Sequence, residues 1–236
     1  MSTKVKSTEK AKNIDEPNFF TKLNDFLRKN RIIIVSLFAL LLVIVAGIGV
    51  WSAVSASRLK NATALLEKIE AEFESWQSAV DEDKTKLEES ILAISNELAA
   101  KYKKLYPALR SRNLSASIFI SRNDFTRAIE LYKAIYETAP DSHLAPLAMY
   151  NAAIAQEKNG DVADALVTLE TIYTDYPGVA NINRVLFNIG RLYEANEQYT
   201  EAYQNYTKII VKGGVDDWTK LAQSRIIYFD SRGIGK

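Results

Sequence analysis

The alternation of apolar and polar positions changes character three times along the chain. From Ile32 to Ser57 come 26 residues without a charge, "IIIVSLFALLLVIVAGIGVWSAVSAS". A helix needs about 20 apolar residues to cross hydrocarbon. The run therefore predicts a transmembrane helix over 32–54, with Trp51 as an interfacial anchor where it fades. Before it, Phe19, Phe20, Leu23, Phe26 and Leu27 share one helical face behind Pro17, which predicts a juxtamembrane amphipathic helix over 17–31 lying on the membrane surface. After it, Leu59, Ala62, Leu66, Ile69, Phe73, Trp76 and Val80 follow at alternating steps of three and four. "DEDK" (81–84) interrupts this seam, and Leu87, Ile91, Ile94, Leu98, Lys101 and Leu105 begin a second. Together they predict a helical hairpin over 55–106, a homodimeric coiled coil being the alternative.

From residue 107 the pattern repeats. "DFTRAIELYKAIYETAP", "DVADALVTLETIYTDYP" and "QYTEAYQNYTKIIVKGG" stand 37 residues apart. Ala128, Ala165 and Ala202 share one register. Tyr132, Leu169 and Tyr206 share the next, then Ile135, Ile172 and Ile209, then Pro140, Pro177 and Gly214. Twelve residues upstream of the alanines lie Ala116, Ala153 and Gly190; nine upstream lie Phe119, Gln156 and Tyr193. Small residues let the two helices of a pair approach, large ones fill the space to the next pair, and proline ends the second helix. One pair cannot bury its own apolar face, so copies must stack. The reading is all-α: one transmembrane helix, a helical hairpin, three helix-pair repeats over 107–215, and a closing helix within 216–236 that starts near Trp218.

This small-aromatic-Ala-aromatic-Pro pattern resembles the tetratricopeptide repeat, whose usual period is 34. The three extra residues fall in the loop between copies. The stretch "PDSHLAPLAMYNAAIAQEKNGDVADALVTLETIYTDYPG" is similar to repeats of the BamD and CpoB kind, and the resemblance covers 109 to about 215. Gln156 departs from it, standing where an aromatic is expected. The whole plan also resembles YfgM-like proteins, single-pass periplasmic repeat proteins that are ancillary to the Sec translocon and have chaperone contacts. The resemblance implies an α-solenoid whose first helices line a partner-binding groove. By its register the groove residues fall on Arg110, Asn113, Tyr150, Ile154, Arg184, Phe187 and Arg191. Arg and aromatic side chains dominate interface energetics, so an extended peptide or partner helix carrying an acidic residue would suit it. Alternatively, Arg191 and Glu194 pair at i,i+3 on a solvated face.

Charge then fixes a direction. Residues 1–31 hold eight Lys/Arg against four acids, leaving 22 bases and 25 acids beyond. By the positive-inside rule the N-terminus is cytoplasmic and the C-terminal domain is on the far side. That predicts a single-pass protein of a bacterial inner membrane with a periplasmic repeat domain. Residues 1–16, rich in Lys, Ser and Thr, read as a disordered basic tail. A cleaved signal peptide, with "VSA" (54–56) before Ser57, is the competing reading, set against an apolar core longer than such peptides use. The near-neutral net charge of +1 offers nothing to nucleic acid.

Chemistry-bearing residues are scarce. There is no cysteine, so no thiolate nucleophile or thiolate metal site. The one histidine, His143, sits in a loop, "PDSHLAP". "GGVDD" and "GIG" are too short for a phosphate loop, and Asp216 and Asp217 suit the start of the closing helix. The expectations are no enzyme and no cofactor or metal. The function expected is a membrane-anchored scaffold or adaptor binding envelope proteins, including translocon components, in translocation, chaperoning or envelope assembly. The alternative is a structural component of a large envelope machine, such as a spirochaete-type periplasmic flagellar collar with flagellar motor partners. Sequons at Asn61, Asn113 and Asn205 would fit a eukaryotic luminal protein, though the last two fall within predicted helices.

Overall fold

A computed structural model describes residues 19–234; the tail expected over 1–16, and Pro17, lie outside them. The described residues form ten α-helices and no strand. They divide into two compact units, one ending at Ser57 and one beginning at Arg58.

The first unit contains α1 (Phe19–Lys29) and the start of α2 (Arg31–Ser78). From Ile32 to Trp51 nearly every α2 side chain is exposed, the large apolar ones included. This is the one described helix long and apolar enough to cross a membrane.

The second unit contains the rest of α2, then α3 (Asp81–Lys101), α4 (Tyr106–Ser121), α5 (Phe125–Thr138), α6 (Leu144–Asn159), α7 (Val162–Asp175), α8 (Ile182–Ala195), α9 (Tyr199–Lys212) and α10 (Asp217–Arg232). Its core is four successive clusters, each joining three consecutive helices. Ala62, Leu66, Ile69 and Trp76 of α2 meet Ile91 and Leu98 of α3 and Ala108 and Ile118 of α4. The next clusters join α4 to α6 and α6 to α8, and the last joins Leu186, Tyr206 and Ile209 to Ala222 and Phe229 of α10. Stability in such a stack is a chain of nearest-neighbour interfaces.

The repeat registers are the buried ones. Ala128, Ala165 and Ala202 are each 0% exposed, and Ile135, Ile172 and Ile209 at most 1%. The turns repeat too. Asn123, Gly160 and Glu197, again 37 apart, all adopt the left-handed conformation at φ 58°, 91° and 61°. The following N–H in each case, from Asp124, Asp161 and Gln198, reaches back to the carbonyl of Phe119, Gln156 or Tyr193 at 2.9 Å. That backward bond closes a helix whose last carbonyls lack a partner. The register extends further upstream than the aligned repeats: Ile91, Ser95 and Leu98 of α3 lie 37 residues before Ala128, Tyr132 and Ile135, and all three are buried. Helix α3 thus stands as the second helix of a worn preceding copy, with Ile91 in the alanine position and a Ser95–Ser111 hydroxyl bond of 3.1 Å in place of an aromatic contact. Gln156, the departure from the aromatic pattern, accepts a hydrogen bond from Thr168 at 3.0 Å, so a polar pair substitutes for a ring.

Gly190 shows how tight the small register is. A Cβ there would lie 2.7 Å from Cε1 of Tyr206. That ring is fully buried, packs against Phe187 and Phe229, and donates its hydroxyl to Glu194, so it cannot swing aside. Overpacking of about 1–3 kcal/mol should outweigh the ~1 kcal/mol by which Ala exceeds Gly in a helix interior. Gly190→Ala is expected to lower the urea midpoint, and Tyr206→Leu added to it to restore part of the loss, since it rebuilds the Ala153/Leu169 pairing of the preceding copy. A single variant as stable as the parent would refute the close approach.

Candidate functional site

The first helices of the pairs, α4, α6 and α8, carry the seven predicted groove residues, and the structure treats them unequally. Arg110 of α4 is half-buried, its Nε 3.4 Å from Glu70 of α2. Asn113 accepts from Asn151 Nδ2 at 3.5 Å. Tyr150 of α6 is buried rather than open, its hydroxyl accepting from Asn188 at 3.0 Å. Ile154 packs into the α6–α8 cluster. Phe187 of α8 is half-buried between Tyr206 and Trp218, at ring-centroid distances of 5.4 and 5.5 Å.

Arg191 is paired, though not with Glu194. Its two terminal nitrogens clasp both carboxylate oxygens of Glu157 in the preceding first helix, at 2.7 and 2.6 Å. The fork geometry is the strongest form of such a bond, and it holds the guanidinium pKa above its ordinary value. Glu194, one repeat on from Glu157, is held by Arg225 of α10, from the next first-helix position, and by the Tyr206 hydroxyl at 2.9 Å. Two glutamates in register thus tie successive first helices together.

Arg184 is different. It is exposed, and its guanidinium carbon lies 4.2 Å from the Tyr150 ring centroid and 5.8 Å from that of Trp218. Among the described residues no carboxylate or carbonyl accepts from its N–H groups. Stacking on rings fixes the plane of the group and leaves its donor edge open. A cavity of about 210 Å³ adjoins it, lined by His143, Leu147, Tyr150, Val179, Asn181 and Arg184. Leu147 is 44% exposed at its rim. His143 itself is a surface residue stacked on Tyr106 at 5.6 Å. The arrangement can hold an acidic group against an apolar surface: a bidentate donor, two aromatic faces and an aliphatic shelf.

Trp218 is absent from the predicted groove set. It stands at the start of α10, which is anchored by Asp216: that carboxylate accepts from Thr219 N–H at 2.8 Å and from Asn183 Nδ2 of α8 at 2.8 Å. The signal available in sequence is a bulky aromatic in the first turn after a Gly-Gly bend, one repeat beyond the aligned copies.

Two tyrosines on these helices give the fold an alkaline limit. Burial pushes the Tyr206 phenol from 10.0 up to about 12. For Tyr193 the hydrogen bond to Glu170, and then burial, push it up to about 12. The unfolded chain releases both protons near pH 10 while the folded one keeps them. Their contribution to stability is therefore present below pH 10 and lost as pH rises toward 12. The melting temperature is expected to fall across that window, and to fall less in Tyr206→Phe, which has no proton to lose.

Comparison with known proteins places the fold. The family model described as "Tetratricopeptide repeat-like domain" matches residues 24–219. A "TPR repeat-containing protein" of Treponema pallidum (strain Nichols) is 29% identical over 114 residues, 48% of this chain. The match spans about half the length of that relative, 46%. Two crystal structures of a Podosopora anserina putative kinesin light chain with nearly identical TPR-like repeats, one of them a single-substitution form, superpose with a TM-score of 0.56 at 14% identity. Each covers 74% of this chain and 88% of its own.

Proposed function

From a chain that belongs to the tetratricopeptide repeat-like domain family, we propose a membrane-anchored scaffold whose stacked helices bind an acidic segment of a partner protein beside Arg184. Proteins of this fold are in the main non-catalytic platforms for protein partners. The observation that carries the reading is the unpaired guanidinium on Tyr150 and Trp218, next to an apolar cavity and exposed Leu147. The other predicted groove arginines are committed to Glu70 and Glu157 inside the molecule.

The anchor is the uncharged stretch of α2. Its exposed apolar side chains are satisfied in lipid, and a helix keeps its backbone bonds internal there. The basic N-terminal side supports a cytoplasmic head and a periplasmic repeat domain in a bacterial inner membrane, serving translocation, chaperoning or envelope assembly. An alkaline wash should leave the full-length chain in the membrane pellet. Release of uncleaved protein would remove the anchor from the account.

Arg184→Glu is expected to abolish co-purification of envelope partners while lowering the thermal melt only slightly, since Arg184 holds no carboxylate and its ring stacking is worth about 0.5–1 kcal/mol. Arg191→Glu should lower both, because it breaks the Glu157 clasp. Undiminished partner recovery in Arg184→Glu overturns the site. A second reading, a structural component of an envelope machine such as a spirochaete-type flagellar collar, draws on the relative in Treponema pallidum. Discrete foci of a tagged protein would favour it, uniform envelope labelling the first.

A further inference from the structure

Helix α1 is not part of the span, and the backbone says where the two separate. The Asn30 N–H and its Nδ2 both donate to the Phe26 carbonyl, at 3.0 and 2.9 Å. The next bond across the junction is from Ile34 N–H to the Asn30 carbonyl, 2.9 Å. Helix α1 ends at Lys29, Asn30 is a turn residue, and α2 begins at Arg31. An interruption of the helical ladder is favoured where water or headgroups reach the backbone and disfavoured in hydrocarbon. Asn30 therefore belongs at the headgroup layer, with the uncharged run on one side of it and α1 on the other.

What α1 presents there is two-sided. At 100° per residue, Phe26, Phe19, Leu23, Leu27 and Phe20 span one arc, and each is more than 40% exposed. Lys22 and Lys29 border one edge of that arc; Arg28 lies beyond the other. Asp25 is the one acid among residues 19–31. An apolar stripe edged by cations matches an anionic lipid surface: acyl chains under the rings, phosphates beside the cations.

We infer that α1 lies along the headgroup layer of an anionic leaflet, turned away from the span by the break at Asn30, and binds acidic lipid through Lys22, Arg28 and Lys29. The inference rests on the membrane reading above, and the test separates the two. The chain has no cysteine, so a single introduced Cys can carry an environment-sensitive fluorophore in the full-length protein. Labels at Phe20, Leu23, Asn24, Asp25, Phe26 and Arg28, with Leu40 as a control in the span, are read in phosphatidylcholine vesicles with and without phosphatidylglycerol. The Leu40 label should be dry in both. Labels at Phe20, Leu23 and Phe26 should shift to the blue and resist aqueous iodide, while those at Asn24, Asp25 and Arg28 stay wet. This contrast should increase with the anionic lipid and shrink in the triple variant Lys22→Gln, Arg28→Gln, Lys29→Gln. A dry Leu40 with uniformly wet α1 labels, or a contrast indifferent to anionic lipid, overturns the inference alone. A wet Leu40 overturns the anchor as well.

Discussion

Phe229→Ala should release α10 from the stack. Phe229 is completely buried, with ring centroids of Tyr199, Tyr203 and Tyr206 at 6.0, 6.3 and 6.1 Å. Truncating such a residue costs about 3–5 kcal/mol through lost burial and the cavity left behind. Among the described residues α10 packs on α8 and α9 alone, and stability in such a stack is local to neighbouring helices, so the loss falls on α10. Amide exchange should accelerate across Asp217–Arg232 and the facing side of α9, while α4 to α6 keep their protection. Trp218 would leave Arg184, and partner binding should fall with it. Equal loss of protection along the whole repeat unit would show instead that the stack unfolds as one body.

Glu88→Ala should cost nearly as much at the other end. Glu88 is 3% exposed on α3, accepts the Trp76 indole N–H of α2 at 2.8 Å, and is ion-paired with Arg122 at the end of α4. One carboxylate thus holds three helices. Removing one member of a buried pair costs about 3–5 kcal/mol when the other charge stays buried. Arg122 is 42% exposed and can turn to water, which lowers the expectation to about 2–3 kcal/mol. Glu88→Gln keeps an acceptor for Trp76 and should cost less. A double-mutant cycle with Arg122→Ala should show coupling well above that of an exposed pair. Additive losses would mean that the ion pair contributes nothing beyond the indole bond.

The periodic part of the fold was legible because each copy buries the same residue types at the same positions against its neighbours. An alanine flanked at fixed steps by large residues declares its neighbours, and Ala128, Ala165 and Ala202 are all fully buried. The copy formed with α3 was not legible, because Ile91 and Ser95 replace the small and aromatic residues that announce the pattern. The site was half legible. Register put Arg184 and Tyr150 on neighbouring first helices, and the structure stacks one on the other, but one repeat cannot show what the next places over it. Tyr150 is covered by Asn188 and Arg184 from α8, and Arg191 reaches back to Glu157 rather than forward to Glu194. Trp218 lies beyond the third copy, where no register pointed to it.

The claim at the centre is that the face around Arg184 meets a partner while the chain sits in a membrane. It is tested most directly by a photoreactive residue at Leu147, activated in intact cells and followed by mass spectrometry of the membrane fraction. The account predicts a crosslink to a discrete envelope protein, at an acidic segment, that disappears in Arg184→Glu and is absent from a probe at Lys133 on α5. A crosslink that survives Arg184→Glu unchanged, or equal yields from Leu147 and Lys133, would contradict it.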